Sequence, residues 1–307
     1  MTPPATATLL VNPAARGANR RLDAARLVRY LRKRGVDARL EIPGSAAEMS
    51  SRAAAAAERG DDIVFVAGGD GSYREAARGL AGSDTALAPV PVGTVNILAK
   101  EAGIPPSVRA AVDAHLGGRR VRIDLGRADG EPFLLMASAG WDARVVRDVS
   151  LGLKRRIGDL AYVLKAAALV PRLRPVAAAW AAGELRCEDD LAVLLVSNTR
   201  LYGGRVHVAP LALADDGLLD VVALCPHNSL QALRLAARVV TGRAAADARA
   251  FSARVSEIVL ETPGIAVQLD GDYAGDSPMR FSVDPGALLL SIPAGEAPAI
   301  LSPPRDE

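Results

Sequence analysis

Residues 61–75 read Asp-Asp-Ile-Val-Phe-Val-Ala-Gly-Gly-Asp-Gly-Ser-Tyr-Arg-Glu, and no other stretch restricts the fold of this chain so tightly. The apolar run 63–67, bounded by Asp61 and Asp62, predicts a buried parallel strand. Ser72-Tyr73-Arg74-Glu75 has the spacing of a capping box and predicts a helix that opens there. Strand, glycine turn and helix start together bring backbone N–H groups up to a phosphate. Gly68, Gly69 and Gly71 take away the side chains that would hold it off. Asp70 works the other way: a carboxylate repels phosphate unless a cation stands between them or it orients a hydroxyl. The loop therefore points to phosphoryl chemistry and not only to nucleotide storage.

The flanking pattern extends the strand–helix theme. Residues 8–11 form a short apolar strand running into Asn12-Pro13, with Ala14-Ala15-Arg16-Gly17 as a turn. Residues 21–34 carry Leu22, Ala25, Val28 and Leu31 at helical spacing and stop at Gly35. A second strand follows at 38–42. Ser45-Ala46-Ala47-Glu48 is a capping box for an alanine-rich helix that ends at Gly60. A fourth strand, 87–92, enters Gly93-Thr94-Val95-Asn96, and 105–116 reads as a helix. Alternation over the first ~120 residues predicts a Rossmann-like parallel sheet covered on both faces.

Strands then dominate. Segments 121–126 and 133–138 flank the hairpin signal Ala128-Asp129-Gly130. A basic helix is predicted from Lys154 to Leu169. Strands are predicted at 176–181, 191–197, 218–224, 254–261, 265–269, 279–283 and 287–292, with one helix at 230–240. This half reads as an antiparallel β-rich sandwich or barrel-like domain, with the boundary near residue 126. The tail from Pro293 is proline-rich and reads as frayed.

With 307 residues, 50% of them apolar, the chain fits two medium domains or one large one and can bury a real core. A formal charge of +2 is too balanced for bulk nucleic-acid binding. Cys187 and Cys225 lie in or beside apolar stretches and read as buried thiols, which suits a reducing, cytoplasmic setting. No basic region leads into an apolar core and cleavage site at the N-terminus. No uninterrupted run reaches the roughly 18 apolar residues of a transmembrane segment, so a membrane would be met from its surface.

Four separated motifs carry a resemblance. They are Gly68-Gly69-Asp70-Gly71-Ser72; Pro91-Val92-Gly93-Thr94-Val95-Asn96-Ile97-Leu98-Ala99; Gly140-Trp141-Asp142-Ala143 with Arg156-Ile157-Gly158-Asp159-Leu160-Ala161-Tyr162; and Asn198 through Tyr202-Gly203-Gly204 and Pro210 to Asp216-Gly217-Leu218-Leu219-Asp220. In this order the chain resembles the diacylglycerol-kinase-like lipid kinases of bacteria, relatives of sphingosine and ceramide kinases. The family usually has threonine where Ser72 stands. The glycine loop alone would also suit phosphofructokinases and NAD kinases. The resemblance implies an α/β nucleotide-binding domain (1–126), a β-rich acceptor domain (127–286) and an active cleft between them. It also implies that segment 287–301 returns to the first domain.

Carried over residue by residue, the resemblance gives each position a functional reading beside a plainer one. Asn12, with Arg16 and Gly17, matches the first nucleotide-side turn; the plainer reading is an ordinary strand-to-helix turn. Ser45 matches a nucleotide-contacting hydroxyl and is also an N-cap, two roles a helix N-terminus can combine. Gly68, Gly69, Asp70, Gly71, Ser72, Tyr73 and Arg74 form the ATP phosphate loop, with Asp70 in the catalytic network through Mg2+ and Glu75 as capping partner. Thr94 and Asn96 lie just past a strand end, where a parallel sheet keeps its ligand. Asn96 would contact nucleotide or simply cap the next helix. Asp124 matches an aspartate near the catalytic centre, or is a strand residue bonded to backbone. Asp216 matches the carboxylate of a structural Mg2+ site completed by the carbonyls of Leu213 and Leu218 and by waters. An Asp-Gly turn would explain it equally well.

The family places its general base in a D-G-E triplet, and here the triplet is Asp270-Gly271-Asp272. A base must come within ~3 Å of the hydroxyl proton. Aspartate, one methylene shorter, would fall about 1–1.5 Å short. A shifted backbone, a bridging water, or a slow or altered enzyme are the three outcomes. His115, His207 and His227 are isolated and read as surface or packing residues. Lys154, Arg155, Arg156, Lys165, Arg172 and Arg174 form a solvated basic face, or a docking surface for anionic headgroups. The implied activity is ATP- and Mg2+-dependent phosphorylation of diacylglycerol or a related lipid substrate at the inner membrane face. Its rivals are a kinase of soluble hydroxyl compounds and a nucleotide- or lipid-binding protein of little turnover. An exposed sheet edge permits a homodimer without requiring one.

Overall fold

A computed structural model describes residues 4–15, 22–148, 175–204, 206–241, 243 and 247–303. The predicted basic helix at 154–169, the 156–162 motif, Arg172, Arg174, Arg16 and Gly17 lie outside them. The chain divides into two compact units, Met1–Asp124 with Pro285–Glu307, and Leu125–Asp284.

The first unit opens as β1 (Thr6–Val11), α1 (Ala24–Lys33), β2 (Asp37–Glu41), α2 (Ala46–Glu58), β3 (Ile63–Gly68), α3 (Asp70–Leu80) and β4 (Ala86–Pro91). Then come α4 (Ile97–Glu101), α5 (Val108–Leu116) and β5 (Arg119–Ala128), which crosses the unit boundary. The sheet runs β2-β1-β3-β4, all parallel. Leu9, Ile63 and Phe65 are at most 1% exposed, and burying each contributes about 1.5–3 kcal/mol. Helix α1 starts where Asp23 accepts from Arg26 N (2.8 Å) and lays Leu27, Val28 and Leu31 on the sheet. The alanine run of α2 has a packing purpose. Ala53 and Ala56 are fully buried, and a side chain on Gly79 of α3 would begin 2.8 Å from Ala54 N. Only small residues let these helices lie so close.

The second unit continues as β6 (Glu131–Phe133), β7 (Met136–Gly140), α6 (Trp141–Asp148), β8 (Val176–Ala182), β9 (Leu185–Leu191), β10 (Val193–Ser197), β11 (Leu201–Tyr202) and β12 (Val206–His207). It ends with β13 (Leu219–Leu224), α7 (Ser229–Val240), β14 (Ala250–Val255), β15 (Glu257–Leu260), β16 (Ala266–Leu269), β17 (Asp272–Asp276) and β18 (Met279–Ile292). One antiparallel sheet runs β14-β13-β10-β7-β16-β17. Facing it, the first part of β18 pairs with β15, β15 with β8, and β8 with β9. Val196, Val221 and Val267 of one sheet share a core with Trp180, Ile258 and Phe281 of the other, which makes this unit a sandwich.

The predicted α/β unit followed by a β-rich sandwich is what the structure has, with local differences. Strand β9 was not foreseen, because its sequence Leu-Arg-Cys-Glu-Asp-Asp-Leu is charged; it is an edge strand, where charge discourages further pairing. The two strands expected at 279–283 and 287–292 form one 14-residue strand, β18, which runs through Pro285-Gly286. Its far end pairs in parallel with β4 (Leu290 with Leu87) and completes the first unit's sheet. The tail is not frayed throughout: Ile300 and Leu301 are 1% and 7% exposed. Cys187 and Cys225 are free thiols, Cys225 buried and Cys187 partly so.

Candidate active site

In the first unit the strand order reverses direction between β1 and β3, with β2 on one side and β4 on the other. Open α/β sheets hold their ligands at the carboxyl ends of the two strands flanking such a reversal. Those ends are Asn12 and Gly68. Asn12 Nδ2 donates to Ser72 Oγ (2.9 Å), and its Oδ1 accepts from Ala14 N (2.9 Å). The first turn and the glycine loop are thereby tied together.

The glycine loop also touches the Gly93-Thr94-Val95-Asn96 loop. Val92 N and Gly93 N both donate to Gly68 O, at 3.1 and 2.9 Å. A side chain on Gly93 would begin 2.6 Å from Gly69 Cα and 2.6 Å from Asn96 Oδ1, so only glycine allows this approach. Asp70 completes the joint: its two carboxylate oxygens accept from Ile97 N (2.9 Å) and Leu98 N (3.0 Å) at the start of α4. Asp70 is thus the cap of α4, supplied from a different loop. Asn96 does occupy the N-cap position of α4, with a left-handed backbone (φ 53°), but its side chain makes no cap bond and instead donates Nδ2 to Gly93 O (3.0 Å). Its Oδ1 is buried and meets no donor among the described residues.

The expected capping box at Ser72 is not formed. Helix α3 begins three residues earlier, with Gly69 as N-cap and no side-chain cap bond. Gly69 O accepts from Ser72 N and Tyr73 N, and Ser72 Oγ is engaged by Asn12. Glu75 pairs with Arg74 (3.3 Å) and Arg78 (3.4 Å). Tyr73, expected on the nucleotide, is fully buried, with its hydroxyl donating to Gly68 O (3.0 Å). It supports the loop from beneath, and burial raises its pKa well above the ordinary tyrosine value. Gly71 and Thr94 are exposed. Ser45 forms its predicted cap, accepting from Glu48 N (3.1 Å), while Glu48 Oε2 reaches Gly44 N (2.9 Å). Asp124 is 2% exposed and accepts from Gly286 N (2.8 Å), the kind of backbone bond its plainer reading describes. His115 packs beneath β4, between Pro89 O (2.9 Å) and Ser291 Oγ (3.0 Å). A carbonyl only accepts, so Nε2 carries the proton and Nδ1 accepts from Ser291. Burial pushes the His115 pKa down to about 4.

In the second unit Asp270-Gly271 forms the tight turn between β16 and β17, with φ of 49° and 88° and Leu269 opposite Asp272. An Asp-Gly pair with both residues at positive φ is a favoured two-residue hairpin turn. This plainer meaning of the triplet escaped the sequence reading. Asp270 accepts from Leu134 N (2.8 Å), Leu135 N (2.9 Å) and Met136 N (3.0 Å). Asn198, fully buried, holds the same segment from its carbonyls: Nδ2 donates to Leu134 O (3.0 Å) and N donates to Leu135 O (2.9 Å). Those bonds explain why the strand expected at 133–138 breaks into β6 and β7. Asp272, the candidate base, is the partly buried first residue of β17. Asp142 and its neighbours, for which sequence supplied a motif but no role, form a buried polar chain behind this turn.

Asp216, expected to hold a structural cation with the Leu213 and Leu218 carbonyls, makes its own bonds within the second unit. Asp216 Oδ1 accepts from Leu218 N (2.9 Å), the mark of an Asp-Gly turn. Its counter-charge is internal: Arg254 pairs with Asp216 and, at 3.5 Å, with Asp220. Arg254 thus already supplies positive charge to the Asp216 carboxylate. Among the described residues, no three His, Cys, Asp or Glu side chains gather into a metal site. Among them, too, no helix is long and apolar enough to cross a membrane.

Residues 6–128 match the diacylglycerol kinase catalytic domain, and residues 136–292 match the YegS C-terminal NAD kinase beta sandwich-like domain. A Pseudomonas aeruginosa protein named "probable lipid kinase YegS-like" is 35% identical over 248 residues, 80% of each chain. A Mycobacterium tuberculosis protein named diacylglycerol kinase is 33% identical over 294 residues, 93% of this chain and 94% of that one. A solved structure assigned as a diacylglycerol kinase from Bacillus anthracis superposes with a TM-score of 0.78 at 18% identity, covering 96% of this chain and 97% of that one; it supports the fold. The chain therefore belongs to the diacylglycerol kinase catalytic-domain family of lipid kinases.

Proposed function

We propose that the protein is an ATP-dependent lipid kinase that phosphorylates a hydroxyl of diacylglycerol or a related lipid at a membrane surface. The observation that carries the nucleotide half is the joint between the two glycine loops at the β1–β3 reversal. There α3 starts without a side-chain cap, and Asn96 Oδ1 is a buried acceptor awaiting a donor. A triphosphate would take the loop N–H groups, and a ribose or bridging hydroxyl would satisfy Asn96. Asp70 would act by keeping the two loops in register. Mg2+, when bound, would neutralise charge on the phosphates, held mainly by them and by water. Asp272 would accept the proton of the lipid hydroxyl.

A second reading is favoured by one feature of the turn. Asp270 pins it through three backbone bonds, so the backbone is not free to slide forward and make up the methylene that Asp272 lacks. A bridging water, or slow turnover, then follows. Transfer from γ-labelled ATP to diacylglycerol, sphingosine-like lipids and soluble alcohols in mixed micelles tests both readings, with Asp272→Ala and Asp272→Glu alongside wild type. Labelled lipid that disappears in Asp272→Ala supports the kinase. A gain in Asp272→Glu supports the handicapped base. ATP binding without transfer to any acceptor would reject the proposal.

A further inference from the structure

A continuous chain of hydrogen bonds runs behind the Asp270-Gly271-Asp272 turn. Gly271 N donates to Gln268 Oε1 (2.6 Å), Gln268 Nε2 donates to Ser138 Oγ (2.7 Å), and Ser138 Oγ donates to Asp142 Oδ2. Tyr202 OH donates to the same oxygen (3.3 Å). Ser138, Gln268 and Asp142 are 0%, 2% and 5% exposed.

The direction of this chain is forced. A backbone N–H can only donate, so Gln268 must present its oxygen to Gly271 and its NH2 to Ser138. Having accepted that bond, Ser138 sends its own proton to Asp142, where two hydroxyls converge on one carboxylate oxygen. The charge on Asp142 thus polarises a line of bonds that ends one residue from Asp272.

We propose that Asp142 is a positioning residue that holds the Asp270-Gly271-Asp272 turn through Ser138 and Gln268. The proposal rests on the reading of Asp272 as the base, but the turn it concerns is observable without it. Burial pushes the Asp142 pKa up to about 6, so its charge is lost just below neutral pH. The titratable groups brought to α6 are Tyr202 of β11, which touches Asp142, and Asp272, Tyr273 and Asp276 of β17; β7 and β16 bring none. Its own helix carries Arg144, Arg147 and Asp148, with Arg147 paired to Asp148 (3.2 Å) and Asp276 (3.7 Å).

Two measurements on Asp142→Asn, Ser138→Ala and Gln268→Leu decide it. Amide hydrogen exchange at Gly271 reports the turn whatever the activity, and lipid phosphorylation reports its use. Exchange at Gly271 is expected to rise about tenfold or more in each variant. The kcat is expected to fall about ten- to a hundredfold with KM for ATP within about twofold. The wild-type kcat should decline below a midpoint of about 6, and that limb should be absent in Asp142→Asn. Unchanged exchange, or faster exchange with wild-type kcat, overturns the proposal. If Asp142→Asn does not fold, Ser138→Ala and Gln268→Leu decide by the same criteria. If wild type phosphorylates no acceptor, the kinase reading fails and Gly271 exchange alone decides the role of Asp142.

Discussion

Both units fasten a glycine-bearing turn with an aspartate that reaches across to the backbone of another segment, but they back it differently. Asp70 holds two N–H groups of α4, and the loop it serves is held by other backbone, by Asn12 and by a buried tyrosine. Asp270 holds three N–H groups of the 134–136 segment, and its turn is backed by a line of buried side chains ending in a carboxyl. The first arrangement keeps backbone donors in place at a surface where an anion can arrive. The second keeps one side chain still. On the function proposed above, this difference would suit the two tasks, since a phosphate needs many weak donors and a base needs one atom at one place.

The largest expected effect separates these two fasteners. Asp270→Ala leaves three N–H groups without their acceptor and should lower unfolding free energy by about 3–5 kcal/mol, against about 1–3 kcal/mol for Asp70→Ala. Urea denaturation checks this, and equal losses would erase the distinction.

The next effect is in acid. The His115 pKa is lowered to about 4 in the folded state, so the unfolded chain binds more protons and stability falls as pH drops from about 6.5 to 4. The Asp142 pKa is raised to about 6, so the folded chain holds its proton longer and stability falls as pH rises from about 4 to 6. Each amounts to at most about 3 kcal/mol, and in wild type the two oppose each other. Relative to wild type, His115→Gln should gain stability on acidification and Asp142→Asn should lose it. Urea midpoints between pH 7 and 4.5 that move together would show that the two sites are not opposed.

A smaller contrast lies within the first unit. Gly93→Ala drives a methyl into Gly69 and Asn96, while at Gly71 the space is open. Gly93→Ala should weaken binding of an ATP analogue about tenfold or more, and Gly71→Ala should change it by less than about threefold. Calorimetry distinguishes them. Smallest of all, EDTA should leave the Tm of wild type unchanged, because Arg254 supplies the charge at Asp216. A clear drop would mean that a cation does bind there.

What sequence could show follows from where its signals are local. Apolar runs, caps and glycine turns act over a few residues, so the parallel sheet, the Ser45 cap and the β-rich second unit were legible. Asp70, Asp124 and Asp270 spend their carboxylates on backbone 27, 162 and up to 136 residues away, and nothing nearby announces this. The capping box at Ser72 failed because Asn12, sixty residues earlier, takes the serine hydroxyl. Arg254 is likewise an ordinary strand arginine until the fold sets it on Asp216.

Strand β18 has a consequence for how this protein comes into being. Its far end closes the sheet beside β4, about two hundred residues after β4 in the chain. During synthesis β4 therefore waits with an open, apolar edge while the whole second unit is made. The first unit cannot mature as a vectorial, self-contained intermediate. Until β18 arrives, that edge is the place where a chaperone would bind, or where two nascent chains would mispair.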